Sequence, residues 1–209
     1  MIKSSLNARN TALVLIGYQN DYFSSDGILR SVVEESLRIN DTIKNTVNLL
    51  DQINSSEMLV VAMPIIFSDE YIELDQDPVG ILNTIKELGA FRKSQKGSQT
   101  IDELKQFGDR INYLRGKHGL NAFIDTNLEQ FLIDSGIQNI VLAGAVTSIC
   151  IDSTGRFASD KGFKVYILSD ITSARTQVEQ EFYCQQIFPL YAKVVTLEEL
   201  LKKLGISGE

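Results

Sequence analysis

The sequence predicts a three-layer α-β-α sandwich around a central, mostly parallel six-stranded sheet. Short, continuous apolar runs are typical of parallel strands that are buried on both faces. Helix-length segments separate these runs, and such alternation favours one sheet that is covered by helices on both sides. No repeat or low-complexity linker divides the chain, so residues 1–209 are predicted to form a single domain.

The predicted elements follow one another along the whole chain. Residues 11–16 form the first strand, and residues 31–54 form a helix that is expected to break at Asn40-Asp41. Residues 58–63 form the second strand, which Pro64 ends. The remaining predicted elements are strands at 110–114, 139–143, 163–168 and 192–196, and helices at 79–88, 126–136, 148–161, 177–188 and beyond residue 196.

Two of these helices have recognisable start signals. Pro78 is suited to the first turn of the helix at 79–88. Thr126 and Glu129 have the spacing of a capping box, and Gly136 is placed to end that helix. The 79–88 helix lies inside a long connection, residues 65–99, whose aromatic residues argue against disorder. We expect this connection to form a pocket wall or a contact between subunits.

The composition excludes several classes of function. Hydrophobic residues make up 44% of the chain, and the net charge is −7 without a basic block, which disfavours nucleic-acid binding. The first ten residues lack the apolar core of a signal peptide, and no apolar run is long enough to span a membrane. Two cysteines do not make a disulfide framework, so a cytoplasmic location is expected. A single histidine, His118, gives no ligand cluster for zinc.

The most informative stretch is residues 141–160, which is predicted to be a strand, a turn of small residues and a helix. Cys150 falls near the start of that helix. Backbone N–H groups and the helix dipole at this end favour an anion, and they therefore stabilise a cysteine thiolate. The alternative is that Cys150 is a small buried core residue, since free cysteine is among the most buried residue types.

Other polar loops follow the ends of the predicted strands. The first strand leads into a loop that carries Asp21 and Tyr22, and the third leads to Lys117. Because the carboxyl ends of parallel strands meet at one edge of a sheet, we expect these loops to converge with Cys150. Lys117 would then place a cation beside the thiolate. Tyr22, Phe123 and Asp21 are the candidate substrate-binding residues, the first two because ligand sites favour aromatic walls.

With these loops in view, the chain resembles the isochorismatase-like cysteine hydrolase family over nearly its whole length. Three segments match the motifs of that family: Gln19-Asn20-Asp21-Tyr22-Phe23, residues 116–123 around Lys117, and residues 144–154 around Cys150. The resemblance implies a Rossmann-like fold and a catalytic triad of aspartate, lysine and cysteine. Lys117 is then the triad lysine, and Cys150 is the nucleophile.

The resemblance also implies details of the nucleophile turn. A cis peptide that does not involve proline is expected between Val146 and Thr147. The backbone N–H groups of Thr147 and Cys150 are expected to form an oxyanion hole. Homo-oligomers, dimers or tetramers, are common in the family.

The chain departs from the family pattern at Gly17, which occupies the position of the triad aspartate. In the family that carboxylate takes the thiol proton and returns it to the leaving amine, and glycine can do neither. Asp21 replaces it only if the loop folds back. Cleavage of isochorismate, which needs the acid rather than the cysteine, is therefore disfavoured. Metal-dependent nicotinamidases of this family have a histidine-rich motif that this chain lacks, so no metal or other cofactor is expected.

Two functions remain open at this point. The first is a cofactor-independent hydrolase of a small amide, ureido or related C–N substrate, which acts through a thioester on Cys150. The second is a family member that has lost turnover with the aspartate and binds a small molecule or a protein partner. The combination of cysteine, lysine and turn favours the enzyme.

Overall fold

The computed structural model describes residues 6–206. Residues 1–5, which belong to the segment considered above for a signal peptide, and residues 207–209 lie outside the described residues. Within the described part of the chain, no helix is long and apolar enough to cross a membrane.

Six strands form one sheet in which every pair of neighbours is parallel, as the sequence predicts. The order across the sheet is β3-β2-β1-β4-β5-β6, so the chain builds outward from β1 to one edge and then from β4 to the other. The strands are β1 (Thr11–Ile16), β2 (Leu59–Met63), β3 (Asn112–Tyr113), β4 (Asn139–Ala145), β5 (Lys164–Ser173) and β6 (Lys193–Val195).

Nine α-helices and several tighter or wider turns connect the described strands. Two of these turns are π-helical, Thr147–Ile151 before α7 and Tyr183–Ile187 after α8. The helices are α1 (Asn20–Phe23), α2 (Arg30–Asn40), α3 (Thr42–Ile53), α4 (Ile81–Leu88), α5 (Asp102–Lys105), α6 (Leu128–Asp134), α7 (Asp152–Asp160), α8 (Gln177–Phe182) and α9 (Leu197–Leu204).

The core lies on both faces of the sheet, because successive side chains of each strand point to opposite faces. In β1, Leu13 and Leu15 pack into one apolar cluster, which includes residues of α2, α3 and α9. Val14 and Ile16 pack into a second cluster, which includes residues of α6 and α7. All six residues of β1 are buried, which explains why its sequence is a continuous apolar run rather than an alternating one.

The predicted break in the first long helix is confirmed. Asp41 adopts a left-handed conformation, with φ of 48°, and separates α2 from α3. Left-handed backbone is uncommon outside glycine and is tolerated best by Asn and Asp, which is why an Asn-Asp pair is a useful signal.

β5, which lies between β4 and the edge strand β6, differs most from its prediction. β5 was expected to end at residue 168, but it continues to Ser173. Its register against β4 shifts, since Leu142 pairs with Ile167 and Gly144 pairs with Thr172. The extra residues form an irregularity that lets β5 follow β4 to the edge where the loops converge, and a local sequence pattern does not contain that pairing.

Two predicted helix starts are wrong. The Thr126 hydroxyl donates to the carbonyl of Ala122, and α6 begins two residues later, so Thr126 and Glu129 form no capping box. α4 begins at Ile81, after Gly80 with φ of 61°, so Pro78 is not in its first turn. Gly136, in contrast, follows α6 in the left-handed conformation that was expected for a residue ending the helix.

Candidate functional site

The candidate site lies at the carboxyl ends of β1 and β4, which are neighbours at the centre of the sheet, with β2 and β3 on one side and β5 and β6 on the other. The order of the strands reverses between β1 and β4, and ligand sites in open parallel sheets form at such points. Gly17 follows β1 directly, and the π-helical turn with Cys150 follows β4. The sequence prediction that these loops converge agrees with this topology.

Cys150 and Lys117 are in direct contact. The Nζ of Lys117 lies 3.2 Å from the Sγ of Cys150, although 33 residues separate them in the chain. Cys150 is 3% exposed, and Lys117 is fully buried. A buried ammonium needs anionic or polar partners, and the Cys150 sulfur is one of them.

The remaining contacts of Lys117 fix its Nζ in place. This nitrogen also donates to the backbone carbonyls of Gly119 and Leu120, so its three acceptors match the three N–H donors of an ammonium group. The backbone of Lys117 pairs with the segment after β2, because its N–H donates to Pro64 and its carbonyl accepts from Ile66. The lysine loop is thereby attached to the sheet as a short additional strand.

Gly17 adopts a left-handed backbone with φ of 72°. A Cβ on this residue would lie 3.1 Å from the carbonyl oxygen of Ala145 and about 3.5 Å from the ring of Tyr22. The position is therefore crowded by the end of β4 on one side and by an aromatic ring on the other. No carboxylate extends from the end of β1 toward Cys150.

The carboxylate of Asp21 is bonded by the protein's own backbone, and its contact with substrate stays a prediction. Its Oδ2 accepts from the N–H of Phe91 at 2.6 Å, and the N–H of Ile28 is a second donor to the carboxylate. Burial raises the pKa of Asp21 above its ordinary value, against the effect of these two hydrogen bonds. The carboxylate also lies directly against the backbone of Gly97, where no side chain would fit. Two backbone amides therefore hold this carboxylate in place.

Tyr22 is buried, with its ring beside Gly17 and in an edge contact with Phe91 at 5.0 Å between ring centroids. Burial raises the pKa of Tyr22 well above its ordinary value, and the negative charges of a Cys150 thiolate and of Asp21 act in the same direction. The phenol therefore stays protonated at neutral pH and can donate a hydrogen bond. Phe91 has φ of 58°, and the carboxylate of Asp21 receives its N–H, so Asp21 helps to position this aromatic pair.

Phe123 has the contacts of a core residue. Its ring packs against Phe157 at 5.2 Å and against Phe163 at 6.2 Å between centroids. Both neighbours belong to α7 and the turn after it, on the side of the second apolar cluster. These contacts give no support to the predicted contact with substrate, because an aromatic residue in a motif serves equally well to hold a loop onto the core.

The nucleophile turn begins one residue earlier than predicted. The cis peptide joins Ala145 to Val146 and not Val146 to Thr147. β4 extends through Ala145, and Thr147 is already the first residue of the π-helical turn, so the peptide after Val146 belongs to the helical segment. Cys150 is the fourth residue of that turn, which agrees with the predicted position near the start of a helix.

Two glutamines of the site were not singled out from the sequence. Gln19 braces the loops, because its side chain bonds both the N–H and the carbonyl of Ile65 and the carbonyl of Ser98. Gln180 accepts a hydrogen bond from the hydroxyl of Thr147 at 2.7 Å. Gln19 belongs to a recognisable motif, which is a usable signal. Gln180 has none, since it lies in the middle of an ordinary amphipathic helix.

The described residues contain no group of three or more His, Cys, Asp or Glu side chains arranged to hold a metal ion. His118 follows Lys117, but its Nδ1 bonds the carbonyl of Ile66 at 2.6 Å and its ring packs near Phe67. The second cysteine, Cys184, lies on the far side of Gln180, with its Sγ 3.5 Å from the Gln180 Nε2, and burial raises its pKa to about 12.

Comparison with known proteins places the chain in a family. The model of the isochorismatase domain matches residues 11–199. The isochorismatase family protein YecD of Escherichia coli O157:H7 is 29% identical over 199 residues, which cover 95% of this chain and 98% of that protein.

Solved structures share the fold. A cysteine hydrolase from Pseudomonas syringae pv. phaseolicola 1448A superposes with a TM-score of 0.81 at 17% identity, over 96% of this chain and 95% of that one. An N-carbamoylsarcosine amidase from Thermoplasma acidophilum superposes with a TM-score of 0.70 at 22% identity, over 90% of this chain and 97% of that one. From the match over residues 11–199, together with this fold, the chain belongs to the isochorismatase family.

Proposed function

We propose that the protein is a cofactor-independent hydrolase of a small amide, ureido or related C–N substrate, with Cys150 as the nucleophile. The observation that carries the proposal is the buried contact of 3.2 Å between the Lys117 Nζ and the Cys150 Sγ. A thiolate that is already formed needs no base for its first attack. The similarity in fold to a cysteine hydrolase and to a carbamoyl amidase supports the same class of reaction.

In the first half of the reaction, the Cys150 thiolate attacks the carbonyl carbon and forms a C–S bond. The electron pair of the carbonyl moves to its oxygen, which the backbone N–H groups of Thr147 and Cys150 stabilise as an oxyanion hole. The tetrahedral intermediate then expels the nitrogen, which leaves as an amine or ammonia and takes a proton from the Lys117 ammonium. Lys117 thus supplies the proton that the family aspartate delivers.

In the second half, water attacks the thioester and gives a proton to the neutral Lys117 amine. The C–S bond breaks, the acid product leaves, and both the thiolate and the ammonium are restored. Tyr22 contributes a protonated phenol in the wall of the site, which we assign to substrate binding. Asp21 takes no part in either step, because its carboxylate is engaged by Phe91 and Ile28.

The proposal is tested with the intact protein, a panel of small carboxamides and ureas, and the activated ester p-nitrophenyl acetate. We expect acyl adducts that peptide mass mapping assigns to Cys150, and we expect Cys150→Ala to abolish both adduct and turnover. Hydroxylamine should release the adduct from the wild-type protein, because hydroxylamine cleaves thioesters.

A second candidate function is supported by Gly17. Without a carboxylate at the end of β1, the same scaffold is suited to bind a small molecule or a partner without turnover. Absence of any adduct on Cys150, together with ligand-induced thermal stabilisation by members of the same panel, would favour this binding function over the hydrolase.

A further inference from the structure

The side chain of Gln180 links the nucleophile turn to the end of β5. Gln180 is 3% exposed, and its partners Thr147 and Thr172 are fully buried. Its Oε1 accepts from the Thr147 hydroxyl at 2.7 Å, and its Nε2 donates to the Thr172 hydroxyl at 2.9 Å and to the Ser169 carbonyl at 3.0 Å. A buried amide with this many partners is strongly fixed in position.

The direction of each hydrogen bond in this network follows from the bond between Thr172 and Leu168. The Thr172 hydroxyl donates to the carbonyl of Leu168, so its single proton is used and it accepts from Gln180. The amide nitrogen of Gln180 therefore faces Thr172, and its oxygen faces Thr147. This leaves the Thr147 hydroxyl as the donor. The network has one consistent orientation and no ambiguity from an amide flip.

The network reaches the nucleophile turn at its first residue. Thr147 begins the π-helical turn that carries Cys150. Outside the regular ladders of the helices and strands, no described residue accepts a hydrogen bond from the backbone N–H of Thr147, and the proposed mechanism directs this donor to the oxygen atom of the substrate. The hydrogen bond from the Thr147 hydroxyl to Gln180 holds the side chain of Thr147 in place. It therefore limits the directions in which the backbone N–H of Thr147 points.

We infer that Gln180 is a positioning residue for the oxyanion hole, which acts by holding Thr147 and does not itself touch substrate. This inference rests on the proposed function. Through Gln180, helix α8 takes part in catalysis. The irregular end of β5 makes this possible, because the register shift there places Thr172 beside Gly144 and within reach of Gln180.

The test compares two reactions of the same sulfur. Alkylation of Cys150 by iodoacetamide displaces iodide at a saturated carbon and builds no oxyanion. Acylation by p-nitrophenyl acetate passes through a tetrahedral oxyanion. A group that positions the oxyanion hole therefore affects the rate of acylation and leaves the rate of alkylation nearly unchanged. Both rates are read at Cys150 by peptide mass, so that Cys184 does not contribute.

Thr147→Val and Gln180→Met each remove the bond between the two side chains with little change in shape. For each variant we expect the rate of acylation to fall by about 10- to 100-fold, which is at most the effect of losing one oxyanion donor. The rate of alkylation should change by less than about threefold. Thr147→Ser keeps the hydroxyl and should restore most of the acylation rate. The double variant should be no slower than either single variant, because both act through one bond.

Thr46→Val is the matched control, since it removes a buried threonine hydroxyl of α3 that bonds Tyr18 and the carbonyl of Thr42 rather than a residue of the nucleophile turn. Its ratio of acylation to alkylation should equal that of the wild type. The inference is overturned if the Gln180 and Thr147 variants lose both rates in parallel, so that the ratio of acylation to alkylation is unchanged. Additive effects in the double variant would also overturn it. These outcomes leave the proposed function standing. Failure of the wild-type protein to acylate at Cys150 would overturn the proposed function and, with it, this inference.

Discussion

At the scale of single residues, Lys117 is unusual because it is both charged and completely buried. A lysine in a polar loop is ordinarily a solvated surface residue. Here its aliphatic stem is enclosed, and its Nζ is shared among two backbone carbonyls and the Cys150 sulfur. Removal of the charge should therefore act on the sulfur directly, since an adjacent cation stabilises a thiolate.

Lys117→Met is the direct test of that statement. We expect the rate of Cys150 alkylation at neutral pH to fall by about 10-fold or more, because the sulfur loses the cation that contacts it. Iodoacetamide labelling followed by peptide mass measures it, with Cys184 as an internal comparison, since burial raises the pKa of that thiol to about 12. Lys44→Met changes an exposed lysine and should leave the rate unaltered. An equal rate in Lys117→Met would show that the cation does not control the sulfur.

Asp21 gives a prediction for the dependence of stability on pH. Its pKa in the folded protein is raised above the ordinary value of 3.8, mainly by burial. A raised pKa means that the folded state binds the proton more tightly than the unfolded chain. The contribution of Asp21 to stability is therefore full below pH 3.8 and is lost as the pH rises through the raised pKa.

Asp21→Asn removes this titration. We expect the unfolding free energy of the wild type, relative to that of the variant, to decrease as the pH rises from about 4 toward 7. Urea unfolding at several pH values measures it. Asp26→Asn, at an exposed position shortly after α1, is the matched control for loss of a carboxylate. A relative stability that increases with pH would contradict the direction assigned to Asp21.

At the scale of elements, the same short pattern has different outcomes in two places. Thr126 and Glu129 have the spacing of a capping box and do not form one, whereas Thr196 and Glu199 at the start of α9 do. In α9 the Thr196 side chain accepts from the Glu199 N–H, and the Glu199 carboxylate accepts from the Thr196 N–H. The loop before α6 instead ties the hydroxyl of Thr126 to Ala122, so tertiary contacts decide which pattern is used.

Glu199→Ala should therefore lower the unfolding free energy by about 0.5–1 kcal/mol, because a backbone N–H at the helix start loses its acceptor. Glu129→Ala removes only an exposed ion pair with Lys161 and should cost about 0–0.5 kcal/mol. Chemical denaturation of the two variants beside the wild type gives both values. A larger loss for Glu129→Ala than for Glu199→Ala would contradict the assignment of the capping box to α9.

At the scale of the whole molecule, the long connection between β2 and β3 surrounds part of the site and exposes apolar side chains. Its inner residues Phe67 and Phe91 are buried. The backbone of Phe67 donates to the carbonyl of Phe91 and accepts from the N–H of Lys93, so two parts of the connection are bonded to each other. Ile72 and Val79 are 79% and 83% exposed. Exposed apolar groups of this kind mark interaction surfaces when they are grouped, which fits a contact between subunits.

We predict a dimer or tetramer in solution, with this connection at the interface. Light scattering over a range of protein concentrations measures the mass, and the double change Ile72→Asp and Val79→Asp should lower it toward that of the monomer of 23.3 kDa. Val178→Asp with Leu190→Asp changes two residues of similar exposure outside this connection and serves as the control. A wild-type mass of one chain at all concentrations would contradict the prediction.

The sequence by itself determined much of the architecture. The positions of β1, β2 and β4, the break at Asp41 and the parallel sheet follow from apolar runs and local backbone preferences, which act between neighbours in the chain. It also indicated that Cys150 and Lys117 meet, because strands of a parallel sheet end at one edge and the motifs around both residues match one family.

The tertiary structure decided the details that depend on contacts between distant segments. It directed the carboxylate of Asp21 to Phe91, extended β5 past residue 168, and brought Gln180 to Thr147. These contacts depend on hydrogen-bond partners that lie 33 to 70 residues apart in the chain. A local pattern contains the donors and acceptors but not their pairing, which is fixed only when the sheet and its loops are packed together.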